Sequence, residues 1–291
     1  MILCYRGMLS AVLTVGLTFA FSPTPAQSAP APGPCEQTGT IGAIVDRPGL
    51  GRPTANNGSP CVVPPDHVLI EIGYRNQTTV GNGSTSKLEV FPLALIRVGL
   101  RTRTEIILQP PAYSNRSGAA LIAKPAIGVQ DEGVGLKRML HDHSKFQDAV
   151  EIFYTAPTGT PKGSTGFSAG APTFTLSYTA AFPLGDVGIS ITQNAIANAS
   201  PLDPRGATHF FSYQPSLTIS YGFAPNLNLA VTDQFTTPLA PSGGTGNRNL
   251  IAMQGVLSPK VVLDVEYEIN AHPVSPVVRQ HAIGVGAAFE L

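Results

Sequence analysis

Residues 261–270 of this 291-residue chain have the sequence VVLDVEYEIN. Its odd-numbered positions are apolar, and its even-numbered positions from Asp264 onward are Asp, Glu, Glu and Asn. Because successive side chains of a β-strand point to opposite faces, this alternation predicts a strand with one apolar and one charged face. The same alternation recurs in residues 173–182, 187–194 and 211–221. An all-β protein built from two-faced strands is therefore expected.

The connections between such segments predict how the strands are arranged. About twelve segments follow residue 67, and those with odd numbers are followed by long connections, roughly 9 residues after the first and roughly 21 after the third. Even-numbered segments are followed by tight turns such as PLGD at 183–186 and FAPN at 223–226. A soluble sandwich has no physical reason to collect its short turns at one end, whereas a membrane barrel has short periplasmic turns and inward polar faces. We predict an up-and-down antiparallel transmembrane β-barrel over residues 67–291, in contact with the lipid of a Gram-negative outer membrane.

The composition agrees with a membrane location. Charged residues make up 12 % of the chain, whereas soluble domains usually contain about 25 %. Hydrophobic residues make up 43 %, which excludes an intrinsically disordered chain. The 18 basic and 18 acidic residues give a formal net charge of zero, so the chain has no summed field that would attract nucleic acid, and no nucleic-acid partner is expected.

The N-terminus has the features of an export signal. Residues 8–21 form an apolar run that is too short for a transmembrane helix, Arg6 precedes it, and PAQSA at 25–29 supplies small residues for cleavage. Residues 1–29 are therefore predicted to be a signal peptide, with an uncleaved anchor as the alternative. The mature chain would leave the cytoplasm.

Two cysteines remain in the segment between the signal and the barrel. Residues 30–66 are predicted to form a periplasmic or plug segment that contains Cys35 and Cys61. In an oxidising compartment, a disulfide between them is the simplest interpretation. Lipid attachment at Cys35 and metal binding by the two thiols are the alternatives, and no metal or cofactor is expected.

Several strings, in their order along the chain, resemble a family of outer-membrane transporters associated with the MetA pathway of phenol degradation. They are DRPG at 46–49, CVVPPDHVLIEIGY at 61–74, RVGLRTRTE at 97–105, GVGLK at 133–137, APTG at 156–159 and LSPKVVLD at 257–264. The resemblance implies an outer-membrane barrel that is inserted by the barrel-assembly machinery and carries small solutes. The chain departs from such barrels at its end, where Leu291 stands in place of an aromatic residue.

Alternate positions of the predicted strands place a set of charged side chains in the lumen. The candidate lumen charge cluster consists of Glu71, Arg97, Arg101, Arg103, Glu105, Lys137, Asp264, Glu266 and Glu290, and the same parity turns Arg75, Glu89, Glu151 and Glu268 inward. The bases fall on strands two to four, and most acids fall on strands eleven, twelve and one. Such a separation gives a transverse field that could select ions, as constrictions in channels do. The alternative is a network of ion pairs that fills the barrel.

Three functions follow from these observations. We expect a channel for small solutes, aromatic or moderately apolar ones included, that performs no covalent chemistry, with an open path past Arg97 and Arg103 preferred. The first alternative is a non-conducting barrel that residues 30–66 plug and whose loops bind a partner. The third is an outer-membrane hydrolase that uses His141, His143 and Ser144 of a predicted short turn, although no acid lies at a recognisable spacing from these residues.

Overall fold

A computed structural model describes residues 35, 59–81, 83–100, 103–118, 125–160, 167–200, 208–224, 226–237, 245–271 and 279–291. The predicted signal peptide, most of the segment 30–66 and the candidate residue Arg101 lie outside the described residues. Within these ranges, no helix is long and apolar enough to cross a membrane.

The described chain consists almost entirely of β-strands. They are β1 (Val68–Gly81), β2 (Ser84–Leu100), β3 (Thr104–Gln109), β4 (Tyr113–Gly118), β5 (Ala126–Val129), β6 (Glu132–His143), β7 (Phe146–Ala156), β8 (Thr173–Leu184), β9 (Val187–Ser200), β10 (Thr208–Ala224), β11 (Leu227–Thr236), β12 (Gly246–Ser258), β13 (Val261–Ala271) and β14 (Arg279–Glu290).

These strands form one closed antiparallel barrel. The last strand pairs with the first, from Leu69 opposite Glu290 to Val80 opposite Arg279. β2 pairs with β3 along one half of its length and with β4 along the other half, and β4 pairs in turn with β5. β3 and β4 thus share one barrel position, and β5 and β6 share the next. The strands therefore occupy twelve positions around the barrel, as predicted, and the pairing of β1 with β14 closes the sheet on itself.

The lengths of the connections confirm that short turns collect at one end of the barrel and most long connections at the other. At one end, which we call the inner end, five connections contain two or three residues each. At the outer end, the connections contain seven to sixteen residues, with one exception. β1 and β2 are joined by only two residues, 82–83, so the long loop predicted after the first strand is wrong. Gly83, with a φ of 72°, adopts the left-handed conformation that this tight hairpin requires.

The loop predicted after the third strand is also wrong. Residues that were assigned to it form β4 and β5, which prolong the barrel wall beyond β3 and β6. Pro110 and Pro111 lie between β3 and β4, where they cannot donate to a strand ladder.

The outer surface carries an apolar belt. Large aliphatic side chains alternate with buried ones along the strands and are 39 to 58 % exposed. Examples are Leu136, Ile152, Leu176, Ile219, Ile251, Val265 and Ile283. Because a closed barrel covered by apolar side chains satisfies its backbone internally and needs lipid around it, the belt confirms the predicted location in the outer membrane.

Candidate functional site: the barrel lumen

The most buried charges of the protein meet in the lumen near the inner end. β1, β2 and β3 are neighbours and contribute Glu71, Arg97 and Glu105, each of them at most 1 % exposed. Arg97 donates from Nη1 to Glu71 Oε1 at 3.0 Å. It also donates from Nε and Nη2 to Glu105 Oε1, at 3.0 and 2.8 Å. The guanidinium thus bridges two carboxylates, and such charge-assisted bonds are about twice as strong as neutral ones.

A segment that precedes the barrel completes this cluster. We call residues 59–66 the inner strap. Lys137 donates from Nζ to the carbonyl of Ser59 at 2.6 Å, and Arg97 Nη2 donates to the carbonyl of Cys61 at 3.3 Å. The amide of Val63 donates to Glu105 Oε2 at 2.7 Å. Cluster and strap therefore satisfy each other's polar groups inside the barrel.

The strap is also fixed by a disulfide. Cys35 and Cys61 are bonded, with their Cα atoms 5.5 Å apart, and pack with Val62 and Met139. The amide of Cys35 lies 3.2 Å from both carboxylate oxygens of Asp142 on β6. The bonded cysteines thereby attach the strap to the β6 wall.

The described contacts of the strap lie on β1 and the strands to either side of it. Val63 packs against Leu69 on β1, Val262 on β13 and Ala288 on β14. At Gly99 on β2, an added Cβ would lie 1.8 Å from the carbonyl oxygen of Pro64. Glycine is therefore required for the strap to approach β2 this closely. The described strap contacts lie on β13, β14, β1, β2, β3 and β6, and Val256 of β12 packs against the same cluster.

A cavity lies at the inner rim on another part of the wall. Its volume is about 520 Å³, and it lies among the inner ends of β8 to β11. Gly185, Gly188, Ser220, Gly222 and Asn228 border it, together with the larger Phe223 and the charged Asp186.

A second group of charges lies on β1, β12 and β13. Arg75 donates to both carboxylate oxygens of Glu268 at 2.9 Å, and Arg248 also binds Glu268. Glu266 lies in the same row and faces Gly284 of β14, where an added Cβ would be 2.4 Å from its Oε1. Asp264 faces Gly286 in the same way, with 2.8 Å to its Oδ1. The small inward residues of β14 thus make room for carboxylates.

The structure changes the predicted separation of charges. Arg248 is absent from the predicted cluster, although it lies on β12 and shares the parity of the inward Leu250 and Gln254. With Arg75 and Arg248 among the acids of β13, this part of the wall, on the same side of the barrel as Arg97, is a paired network rather than an acidic surface. The transverse field inferred from the sequence is correspondingly weakened.

The predicted inward orientation of Glu89 is wrong. Its carboxylate accepts hydrogen bonds from Tyr74 Oη at 3.1 Å and from Asn115 Nδ2 at 3.2 Å. The register between β1 and β2 shifts between Gly73 and Arg75, so the alternation along β2 changes face there. A bulge of this kind cannot be located by counting alternate residues.

Other predicted charges lie at the inner rim. Arg103 lies in the β2–β3 connection, with a φ of 57°, and its carbonyl accepts a hydrogen bond from the amide of Met139 at 3.0 Å. Glu290 is hydrogen-bonded through Oε1 to Nδ1 of His67 at the start of the barrel. Neither residue belongs to the buried cluster around Arg97.

The residues considered for hydrolysis lie outside the lumen. His141 and His143 are at the end of β6 rather than in a turn, and Ser144 is an exposed turn residue. The prediction that no acid accompanies these histidines is wrong, because Asp148 Oδ1 lies 2.8 Å from His141 Nδ1. Asp148 also accepts a hydrogen bond from Tyr178, which faces outward. This group lies near the inner rim on the lipid-facing side.

The outer end is narrowed by the loop between β7 and β8. Asp131, an inward residue between β5 and β6, accepts hydrogen bonds from the amides of Gly159 and Ala169, both at 2.8 Å. The guanidinium of Arg116 lies over the ring of Phe167, 4.9 Å from its centroid. The sequence offered no signal for these contacts, since the loop shows no periodicity.

No family model and no curated protein matches the chain. Among solved structures, the chain is similar to an outer-membrane channel from Pseudomonas putida F1, with a TM-score of 0.64 and 15 % identity over 82 % of this chain and 100 % of that one. It also matches the NanC porin, with a TM-score of 0.49 and 9 % identity over 76 % and 100 % of the two chains. The KdgM porin in complex with oligogalacturonate gives a TM-score of 0.46 and 9 % identity over 75 % and 98 %. The first likeness shows a shared outer-membrane barrel fold.

Proposed function

We propose that the protein is a passive channel of the outer membrane through which small solutes pass beside the inner strap, without covalent change. The observation that carries this proposal is the cavity of about 520 Å³ at the inner ends of β8 to β11, away from the described contacts of the strap. A barrel that only anchors a partner has no need for small residues there.

The path proposed here differs from the one preferred from the sequence. Arg97 is 1 % exposed and is paired with two carboxylates and the strap, so it belongs to a structural network rather than to an open wet wall. We place the path along β8 to β11 instead. The described inward positions on these strands are mostly Ser, Thr, Asn and Gln, which are compatible with a hydrated lumen.

Small aromatic or moderately apolar solutes are included in this proposal. Apolar side chains share the inward faces with polar ones, for example Ile196 on β9, Ala230 on β11 and Leu250 on β12. A wall of mixed polarity suits solutes that carry both a ring and a polar group.

The test is conductance and liposome swelling with the refolded full chain. Replacing Ser220 and Gly222 with Phe narrows the proposed opening and should lower the conductance by at least half. Ile219→Phe is the matched control, because this side chain is on β10 but faces lipid and is 51 % exposed. Equal conductance in the double variant and the control would contradict the proposed path.

A non-conducting barrel is the second candidate, favoured by the hydrogen bonds that hold the strap in the lumen. It predicts a silent wild-type protein and conductance only after residues 30–66 are removed.

A further inference from the structure

The two walls of the lumen offer a solute different chemistry. Among the described residues of β8 to β11, the inward positions carry no ionisable side chain; those that are buried and polar include Thr175, Ser177, Thr192, Asn194, Ser216 and Thr232. On the opposite wall, Arg97 is bound to Glu71 and Glu105, and Glu268 is bound to two arginines. Unsatisfied hydrogen-bonding atoms occur on both walls, for example Arg75 Nε and Arg248 Nε on the charged wall. The wall of β8 to β11 differs because its described unsatisfied atoms belong to uncharged side chains. Its charged neighbour is Glu151 of β7, which is the register partner of Ser177 on the other side.

One pair of side chains on the uncharged wall has hydrogen-bonding atoms that nothing satisfies. Ser177 on β8 is the direct register partner of Asn194 on β9, and they are 4 % and 0 % exposed. The hydroxyl of Ser177 and both amide atoms of Asn194 have no hydrogen-bond partner. Buried polar groups are nearly always paired, so an unpaired amide beside an unpaired hydroxyl requires an explanation.

The next pair of facing residues on β8 and β9 does form a hydrogen bond. We call each such facing pair of inward side chains a rung. Thr179 and Thr192 are the next inward register pair on the same two strands. Their Oγ1 atoms are 3.2 Å apart and satisfy each other. Facing side chains of β8 and β9 can therefore hydrogen-bond to each other, and those of Ser177 and Asn194 do not.

We infer that the Ser177–Asn194 rung binds uncharged solutes that carry hydroxyl or carbonyl groups, and this inference rests on the proposed channel function. An amide and a hydroxyl together offer donors and acceptors, as a neutral hydroxyl group does. A carboxylate uses only the donors, and an ammonium group uses only the acceptors. β8 and β9 also border the inner opening through Pro183, Val187 and Gly188, so the rung lies on the wall that leads to it.

The test compares three solutes of similar size: glucose, gluconate and glucosamine, which are neutral, anionic and cationic. Liposome swelling measures their entry, and interruption of single-channel current by added glucose measures binding. In the wild type, glucose should enter faster than either charged solute. In the double variant Ser177→Ala, Asn194→Ala, the glucose concentration for half-maximal interruption should rise about ten-fold, because two modest hydrogen bonds are lost.

The matched control is the double variant Thr179→Ala, Thr192→Ala, which removes a self-satisfied pair one rung away and should change glucose binding less than two-fold. Asn194→Asp keeps the shape and adds a negative charge, so it should shift the preference toward glucosamine. The mobility of unheated samples on gels reports folding for each variant.

Unchanged glucose binding in the Ser177/Asn194 double variant, or an equal loss in the threonine control, would overturn the inference. Faster entry of gluconate or glucosamine than of glucose in the wild type would do the same. A wild-type protein without conductance would instead refute the proposed channel function, so the two failures are distinguishable.

Discussion

Replacing Arg97 with Met removes the centre of the buried ion network. The change deletes three hydrogen bonds to carboxylates and one to the strap. Glu71 and Glu105, both 0 % exposed, would then lose their main cation. Lys137 would remain, at 3.9 Å from Glu105. Removing one partner of a buried ion pair costs about 3 to 5 kcal/mol, and we expect a loss of this size in the free energy of unfolding.

The assay is urea unfolding in detergent micelles, followed by the gel mobility of unheated samples. Arg138→Met is the control, because Arg138 is exposed on β6 and its loss should change stability by less than about 0.5 kcal/mol. A triple variant, Arg97→Met with Glu71→Gln and Glu105→Gln, should recover most of the lost stability, since no carboxylate is then left uncompensated. If Arg97→Met is as stable as Arg138→Met, the network is hydrated and open, and the structural role assigned to Arg97 is wrong.

The remaining predictions concern the strap. Replacing both Cys35 and Cys61 with Ser should leave the barrel folded. The bridge joins two residues that are 26 positions apart and lie outside the described strands, and Arg97 and Lys137 still bind the strap in the variant. Unheated samples of that variant should keep their fast gel mobility, and ready thiol labelling of unreduced wild type would contradict the bridge itself. Gly99→Ala should displace the strap, since its Cβ would overlap the Pro64 carbonyl, and should raise conductance; Gly255→Ala, where the nearest atom is 3.7 Å away, should not. Equal conductance of the two alanine variants would argue against a strap seated on β2.

The strands and the orientation of most lumen residues could be predicted because apolar and polar residues alternate along each strand with a period of two. Asp264, Glu266 and Lys137 face inward for that reason. The period fails where register shifts, as it does near Gly73, and Glu89 was placed on the wrong face as a result.

The contacts of the site could not be predicted in the same way. Arg97 contacts Glu105 because β2 pairs with β3. It contacts the strap because that segment, which shows no periodicity in the sequence, lies in the lumen. The unsatisfied rung at Ser177 and Asn194 depends on side-chain rotamers, which no pattern of residue types reveals.

Single-channel recording of the intact wild-type protein in a planar bilayer distinguishes an open barrel from a plugged one. We expect stepwise currents with the strap in place, because the proposed opening beside β8 to β11 does not depend on strap removal. A silent wild-type protein that conducts only after removal of residues 30–66 would contradict it.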